Sequence, residues 1–164
     1  MSRLSPFLTL LVALGFMGCS AYQLGGPKLA FNRVEILPVT NATSRTGLNA
    51  IIQEKLVSNF DLDPRVKVGP GGAKLTTEVT DYRRDGLTTK STDAFSFSSY
   101  RVSIAVKCTL TGPDGKKVFF RNREFRAVAT LQVVGDAAAE ERSLAPGLLN
   151  DLASQIRDAA TTAW

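Results

Sequence analysis

Histidine is absent from the 164 residues. With it goes the side chain most often used to move protons near neutral pH, and the commonest zinc ligand. Cysteine is nearly as scarce, at Cys19 and Cys108 only. If Cys19 is consumed by modification, no intramolecular disulfide is possible, and the domain must stand on its apolar core. There is no internal repeat, heptad pattern, nucleophile motif, P-loop or dinucleotide fingerprint. Gly69-Pro70-Gly71-Gly72 is broken by its proline and reads as a turn, not a phosphate cradle. Glycosidases need only two carboxylates, yet the acids here are scattered beside basic neighbours or in turns. These absences argue against an enzyme and against a resident metal or cofactor.

What is present begins at the N-terminus. Arg3 is followed by an apolar run over residues 7–18 and then by Cys19. One positive charge, a short apolar segment and a small residue before the cut describe a secretory signal peptide. The run is too short to span a bilayer, which takes roughly 20 apolar residues. A cysteine directly after Gly18 marks the junction at which bacterial lipoproteins are cleaved and acylated, although Phe16-Met17-Gly18 is an imperfect lipobox. The sequence therefore divides into a signal peptide over 1–18, a lipidated tether over 19–32 containing Gly25-Gly26-Pro27, and a domain over 33–164. That length is ample for one core. Net charge is +5 overall, and one arginine leaves with the signal peptide. An exported, mildly basic chain does not meet nucleic acid; an anionic membrane or lipid is the natural partner.

Residues 33–39 alternate as a strand that Pro38 ends or confines to an edge, and residues 41–44 are rich in helix N-cap types. Leu48, Ile51, Ile52, Leu56 and Phe60 form a helical stripe over 44–60, stopped by Asp63-Pro64. A short segment over 66–68 precedes a second strand over 73–82. Residues 81–97 are polar and read as a long loop or a twisted, exposed hairpin end. The clearest element is 100–110, where Tyr100, Val102, Ile104, Val106, Cys108 and Leu110 share one face and Arg101, Ser103, Ala105, Lys107 and Thr109 the other. This period of two is a half-buried antiparallel strand, and it makes Cys108 a core residue. Gly112-Pro113-Asp114-Gly115 turns the chain into a partner strand over 117–131, with a bulge or bend expected at 121–124. A polar link over 135–141 leads to a C-terminal helix striped by Leu144, Leu148, Leu149, Leu152, Ile156 and Ala160, with Pro146 in its first turn and Trp164 available to cap the core.

The order β-α-β-β-β-α, with one apolar face per element, predicts an α+β two-layer sandwich. Two helices pack on one face of a four-stranded, mostly antiparallel sheet. The opposite face, carrying Arg101, Lys107 and Arg121 or Arg123, is left polar and open.

With these elements in place, the chain resembles the lipopolysaccharide-assembly lipoprotein family, LptE. The residues that carry the resemblance are Cys19 with Ala21-Tyr22-Gln23-Leu24-Gly25-Gly26, then Val39-Thr40-Asn41-Ala42-Thr43, then Arg45-Thr46-Gly47-Leu48. Tyr100-Arg101-Val102 and the leucine helix running to Trp164 complete it. The resemblance implies an outer-membrane, periplasm-facing lipoprotein seated in the β-barrel translocon LptD, which it helps to assemble while aiding delivery of lipopolysaccharide to the surface. Ser20 after the cysteine agrees with outer-membrane sorting. It also implies lipopolysaccharide contact through basic residues at one end of the domain, here Arg83, Arg84 and Lys90. The link over 135–139 lacks the Lys or Arg that some members carry. Two other readings remain open on the residues: an auxiliary lipoprotein subunit of an ABC-type lipid or solvent transporter, and a cell-wall-linked lipoprotein.

Overall fold

A computed structural model describes residues 29–90, 93–133 and 135–162. The signal peptide, Cys19, most of the tether and Trp164 lie outside the described residues. The elements in chain order are β1 (Arg33–Ile36), β2 (Thr40–Asn41), α1 (Leu48–Asp61), β3 (Lys67–Val68), β4 (Ala73–Lys90), β5 (Asp93–Thr111), β6 (Val118–Gln132) and α2 (Ala137–Thr162). The strands form one six-stranded sheet in the order β3-β1-β4-β5-β6, with β2 also on β4. Both helices are layered against it, as an α+β sandwich.

The strand count exceeds the expected four for two local reasons. The first strand is split at Pro38, which has no N–H for the ladder. β1 pairs with β4 at Ile36↔Leu75, and β2 resumes at Thr40↔Glu78, so the N-terminal strand holds one more residue than its partner across the gap. The short 66–68 segment becomes β3 by pairing with β1 at Arg33↔Lys67. β1 and β2 run parallel to β4, because α1 crosses over between them and returns the chain in the same direction. β4, β5 and β6 form an antiparallel meander.

The alternation on β5 places Val102, Ile104, Val106, Cys108 and Leu110 in the core. Leu75 and Val79 of β4, and Phe125, Ala127 and Leu131 of β6, join them from either side. Leu48, Ile52, Leu56 and Phe60 of α1 and Leu148, Leu149, Leu152 and Ile156 of α2 cover this surface. Each fully buried aliphatic or aromatic side chain contributes about 1.5–3 kcal/mol. One polar link lies within the helix layer, where Asn59 Nδ2 donates to Asn150 Oδ1 at 2.9 Å. Cys108 is buried beside Thr77 at 3.5 Å, and burial pushes its thiol up to about 11, so it is inert core.

Of the two forms expected for the polar 81–97 segment, the twisted hairpin end is the one present, since β4 and β5 pair as far as Lys90↔Asp93. Three expectations need adjusting. The expected link over 135–141 is mostly helix, because α2 begins at Ala137. Pro146 consequently sits in the helix interior, where it cannot donate to the Arg142 carbonyl. The cap-rich residues 41–44 do not start α1 either. They build a loop in which the Thr43 amide donates to Asn41 Oδ1 at 3.0 Å, and Asn41 Nδ2 to the Arg45 carbonyl at 2.7 Å. Gly47, in the left-handed region at φ 82°, is the actual N-cap.

The bulge expected over 121–124 is present. Cys108↔Arg123 and Leu110↔Phe120 leave an extra residue on β6, and Asn122 takes φ 48°. Its amide donates to Thr109 Oγ1 at 3.0 Å. Asn122→Gly is expected to leave the melting temperature nearly unchanged, whereas Asn122→Val should cost about 1–3 kcal/mol, the usual strain of a β-branched residue in that region. Equal melts for the two variants would contradict this register.

Candidate functional site

Beyond Val79 the hairpin of β4 and β5 runs past the paired part of β1 and β2, forming an arm. Its orientation is set by a second bulge. Val79↔Val106 and Asp81↔Ala105 are successive pairs, so Thr80 is the additional residue. That single insertion reverses the alternation of β4. Tyr82, Arg84 and Gly86 now face the helix side, and Asp81, Arg83 and Asp85 face the opposite side.

On the helix side, three donors converge on one buried carboxylate. Glu141, in the N-terminal part of α2, has a side chain only 6% exposed. Its Oε1 receives Arg45 Nη2 at 3.1 Å and the Tyr82 hydroxyl, and its Oε2 receives Arg84 Nη1 at 3.0 Å. Arg45 is delivered by the Asn41–Thr43 loop, Tyr82 and Arg84 by β4, and Glu141 by α2. The hub therefore joins three separate parts of the chain. Burial, the Glu141 hydrogen bond and the adjacent carboxylate charge, in that order, push the Tyr82 phenol up to about 12.

The hub continues along the arm by ring packing. The Arg84 guanidinium lies 3.9 Å from the Tyr100 ring centroid, and Tyr100 packs on Phe97 with centroids 5.6 Å apart. Phe97 in turn covers Gly86, where an added Cβ would stand 2.3 Å from the ring. A side chain at Gly86 would displace the Phe97 ring from this position.

The opposite side of the sheet is a charge-compensated polar surface. Arg83 pairs with Asp81 at 2.9 Å, Arg126 with Glu124 at 3.0 Å, and Arg126 reaches Asp81 at 3.9 Å. Asp81, Ala105 and Arg126 are neighbours on three adjacent strands. The Asp81–Arg126 contact thus closes over Ala105, which is why this small outward residue is 1% exposed. Arg101 and Lys107 stand on this exposed face, opposite Asp85 and Glu78 on β4.

The family model for lipopolysaccharide assembly, LptE, matches residues 31–160. The chain belongs to the lipopolysaccharide-assembly (LptE) family. No curated protein matches the sequence significantly. Among solved structures, this LptE-family protein is similar to a Xanthomonas campestris protein of the DUF330 family, at TM-score 0.62 and 12% identity, covering 86% of this chain and 90% of that one. It is also similar to uncharacterized lipoprotein B from Nitrosomonas europaea (TM-score 0.52, 15% identity, 87% and 90% covered). A minor lipoprotein from Acinetobacter baumannii is a third (TM-score 0.52, 18% identity, 81% and 94% covered). At such identities the likeness is one of fold.

Of the residues singled out in this LptE-family sequence, Cys19 lies outside the described residues. Arg83, Arg84 and Lys90 all fall on β4 but do not form one cluster. Arg83 is 67% exposed on the polar face, while Arg84, beside it, points to the helix side and into the Glu141 hub. Lys90 closes β4, roughly 20 Å further along at about 3.3 Å per residue; its side chain is outside the described residues. Sequence reasoning missed Glu141 altogether. Two adjacent acids in a polar stretch carry no mark of burial, and only the fold brings the arginines to one of them.

The sign of the Tyr82 effect follows from linkage. A phenol whose folded pKa lies above its usual value of about 10 contributes stability that is fully present below pH 10 and lost as pH rises toward 12. Wild-type stability should therefore decline across that window beyond what other groups cause, and Tyr82→Phe should remove that part of the slope. An identical alkaline profile for both would show that Tyr82 is not held by the hub.

Proposed function

We propose that this protein is an outer-membrane lipoprotein, acylated at Cys19 and facing the periplasm. It seats within an LptD-like β-barrel, helps that barrel assemble, and aids delivery of lipopolysaccharide to the outer leaflet. It works by binding, without catalysis. The observation that carries this reading, beside family membership, is the sheet's outer surface. A plug in a barrel must meet a polar, water-accessible lumen. A face of ion pairs, two within a strand and one between strands, over small residues offers hydrogen-bonding groups to such a wall and, among the described residues, no contiguous apolar patch to a lipid groove. The exposed large apolar residues Leu62, Leu87, Phe97, Val118 and Val128 are dispersed over α1's end, the arm and β6, whereas a transporter subunit of the alternative kind calls for a contiguous apolar patch.

Lipopolysaccharide contact belongs to the arm in this reading, with Arg83, Arg84 and Lys90 supplying its positive charge. Phosphorylated sugars present dense negative charge that guanidinium groups pair well. Because Arg83 and Arg84 face different sides and Lys90 stands further along β4, the three meet separate phosphates. Changing Arg83 and Lys90 together to Ala should weaken binding to purified lipopolysaccharide and flatten its salt dependence, with the melting temperature unchanged. Unaltered affinity and salt slope would remove the arm from the binding account.

Two further outcomes test the wider proposal. Metabolic labelling with an alkyne fatty acid should tag the wild type and not Cys19→Ser. Depletion of the protein should lower the mature barrel and raise outer-membrane permeability to antibiotics; a normal barrel level and an intact barrier after complete depletion would contradict it.

A further inference from the structure

A cavity of about 220 Å³ opens between the start of α1 and the N-terminal half of α2. Leu48, Ile51, Ala145 and Pro146 give it apolar walls, and Arg45, Tyr82, Glu141 and Arg142 stand around them. Glu141 is already saturated by Arg45, Arg84 and the Tyr82 hydroxyl. The neighbouring Glu140 accepts from the Gly135 amide at 2.8 Å and does not line the cavity. Arg142 is exposed and has no acidic partner among the described residues, and Arg45 keeps a side chain 46% exposed after its contact with Glu141. Three arginines around one carboxylate leave local positive charge beside a small apolar recess.

We infer that this cavity is a docking point for the barrel partner, taking one acidic side chain whose carboxylate pairs with Arg142 and Arg45 while its methylene stem lies on Leu48, Ile51 and Pro146. The inference rests on the barrel-plug reading above and adds a contact to it. Size decides the occupant. Sites for whole small molecules run from about 300 to 1,000 Å³, so this recess suits a single inserted side chain better than a lipid. Charge complementarity selects an acid, and a charged group seated in a small pocket is the kind of anchor that dominates an interface. Pro146 contributes shape: it faces the recess from mid-helix, where it leaves the Arg142 carbonyl without its usual helical donor.

The test uses the full-length tagged lipoprotein in its own membrane, with the barrel recovered in detergent and identified by mass spectrometry. Arg142→Glu should lower recovery by about tenfold at moderate salt, as expected for loss of one anchored charge pair, and Arg142→Lys should lower it much less. Ala145→Trp, which fills the recess without changing charge, should lower it comparably. Melting temperatures should stay near wild type for both arginine variants. Failure of the wild type itself to recover a barrel would overturn the plug reading. Wild-type recovery by Arg142→Glu and Ala145→Trp would overturn the docking inference alone. Normal barrel recovery with weakened binding of purified lipopolysaccharide would reassign the cavity to a phosphate of the lipid and overturn the inference equally.

Discussion

The structure depends on one constraint: only one side of the β4-β5-β6 meander is apolar, and two helices suffice to close it. The row from Val102 to Leu110 on β5 is flanked by Leu75 and Val79 on β4 and by Phe125 and Ala127 on β6. α1 and α2 present matching stripes, with Ile52, Leu56, Leu149, Leu152 and Ile156 essentially free of solvent. Once those faces meet, all remaining sheet surface is committed to the other side. It is polar because a period of two leaves it no other residues. A domain built this way has a helix-covered half and a charged half; the proposed plug surface is the second, and the recess between α1 and α2 adds one contact from the first.

Charge distribution on the arm follows from Thr80. Without the extra residue, Arg84 would lie on the open face and Arg83 among the helices. With it, Arg84 stacks on Tyr100 and reaches Glu141, and Arg83 stays outside with Asp81. A carboxylate as buried as Glu141 is tolerable only because both oxygens are filled by charged or hydroxyl donors. Removing Glu141 would strand Arg45 and Arg84 together, so the arm, the loop before α1 and the start of α2 depend on a single side chain. This also explains why α2 begins as early as Ala137. The first turns carry Glu141 to its partners, and that tertiary contact outweighs a proline ten residues in.

Much of the fold was legible from residue pattern alone. The β5 alternation, the α1 stripe, the Gly112–Gly115 turn, the 121–124 bulge and the inert Cys108 are local or periodic features, and local physics dictates them. What escaped is non-local. The parallel placement of β1 arises from the α1 crossover, and β3 exists only as a partner for β1. The start of α2 moved because a buried contact recruits residues that read as link. Arg83 and Arg84 look like one basic pair in sequence, and a bulge just upstream separates them onto opposite faces. Bulges of this kind leave no reliable mark, since Thr80 sits in a run of strand-forming residues like any other. Glu141 was invisible for the same reason: its partners lie about 60 and 100 residues away in the chain.

The central claim is that the polar sheet face lies against a β-barrel partner. Val128 stands in the middle of that face at 52% exposure, paired in register with Ser103, and it tolerates a photoreactive side chain without disturbing the core. Irradiating cells that carry such a side chain at Val128 should yield one dominant adduct with a large outer-membrane β-barrel protein. An intact, membrane-localised protein that gives no barrel adduct from Val128, but gives one from Arg157 on α2, would contradict the assignment of this face.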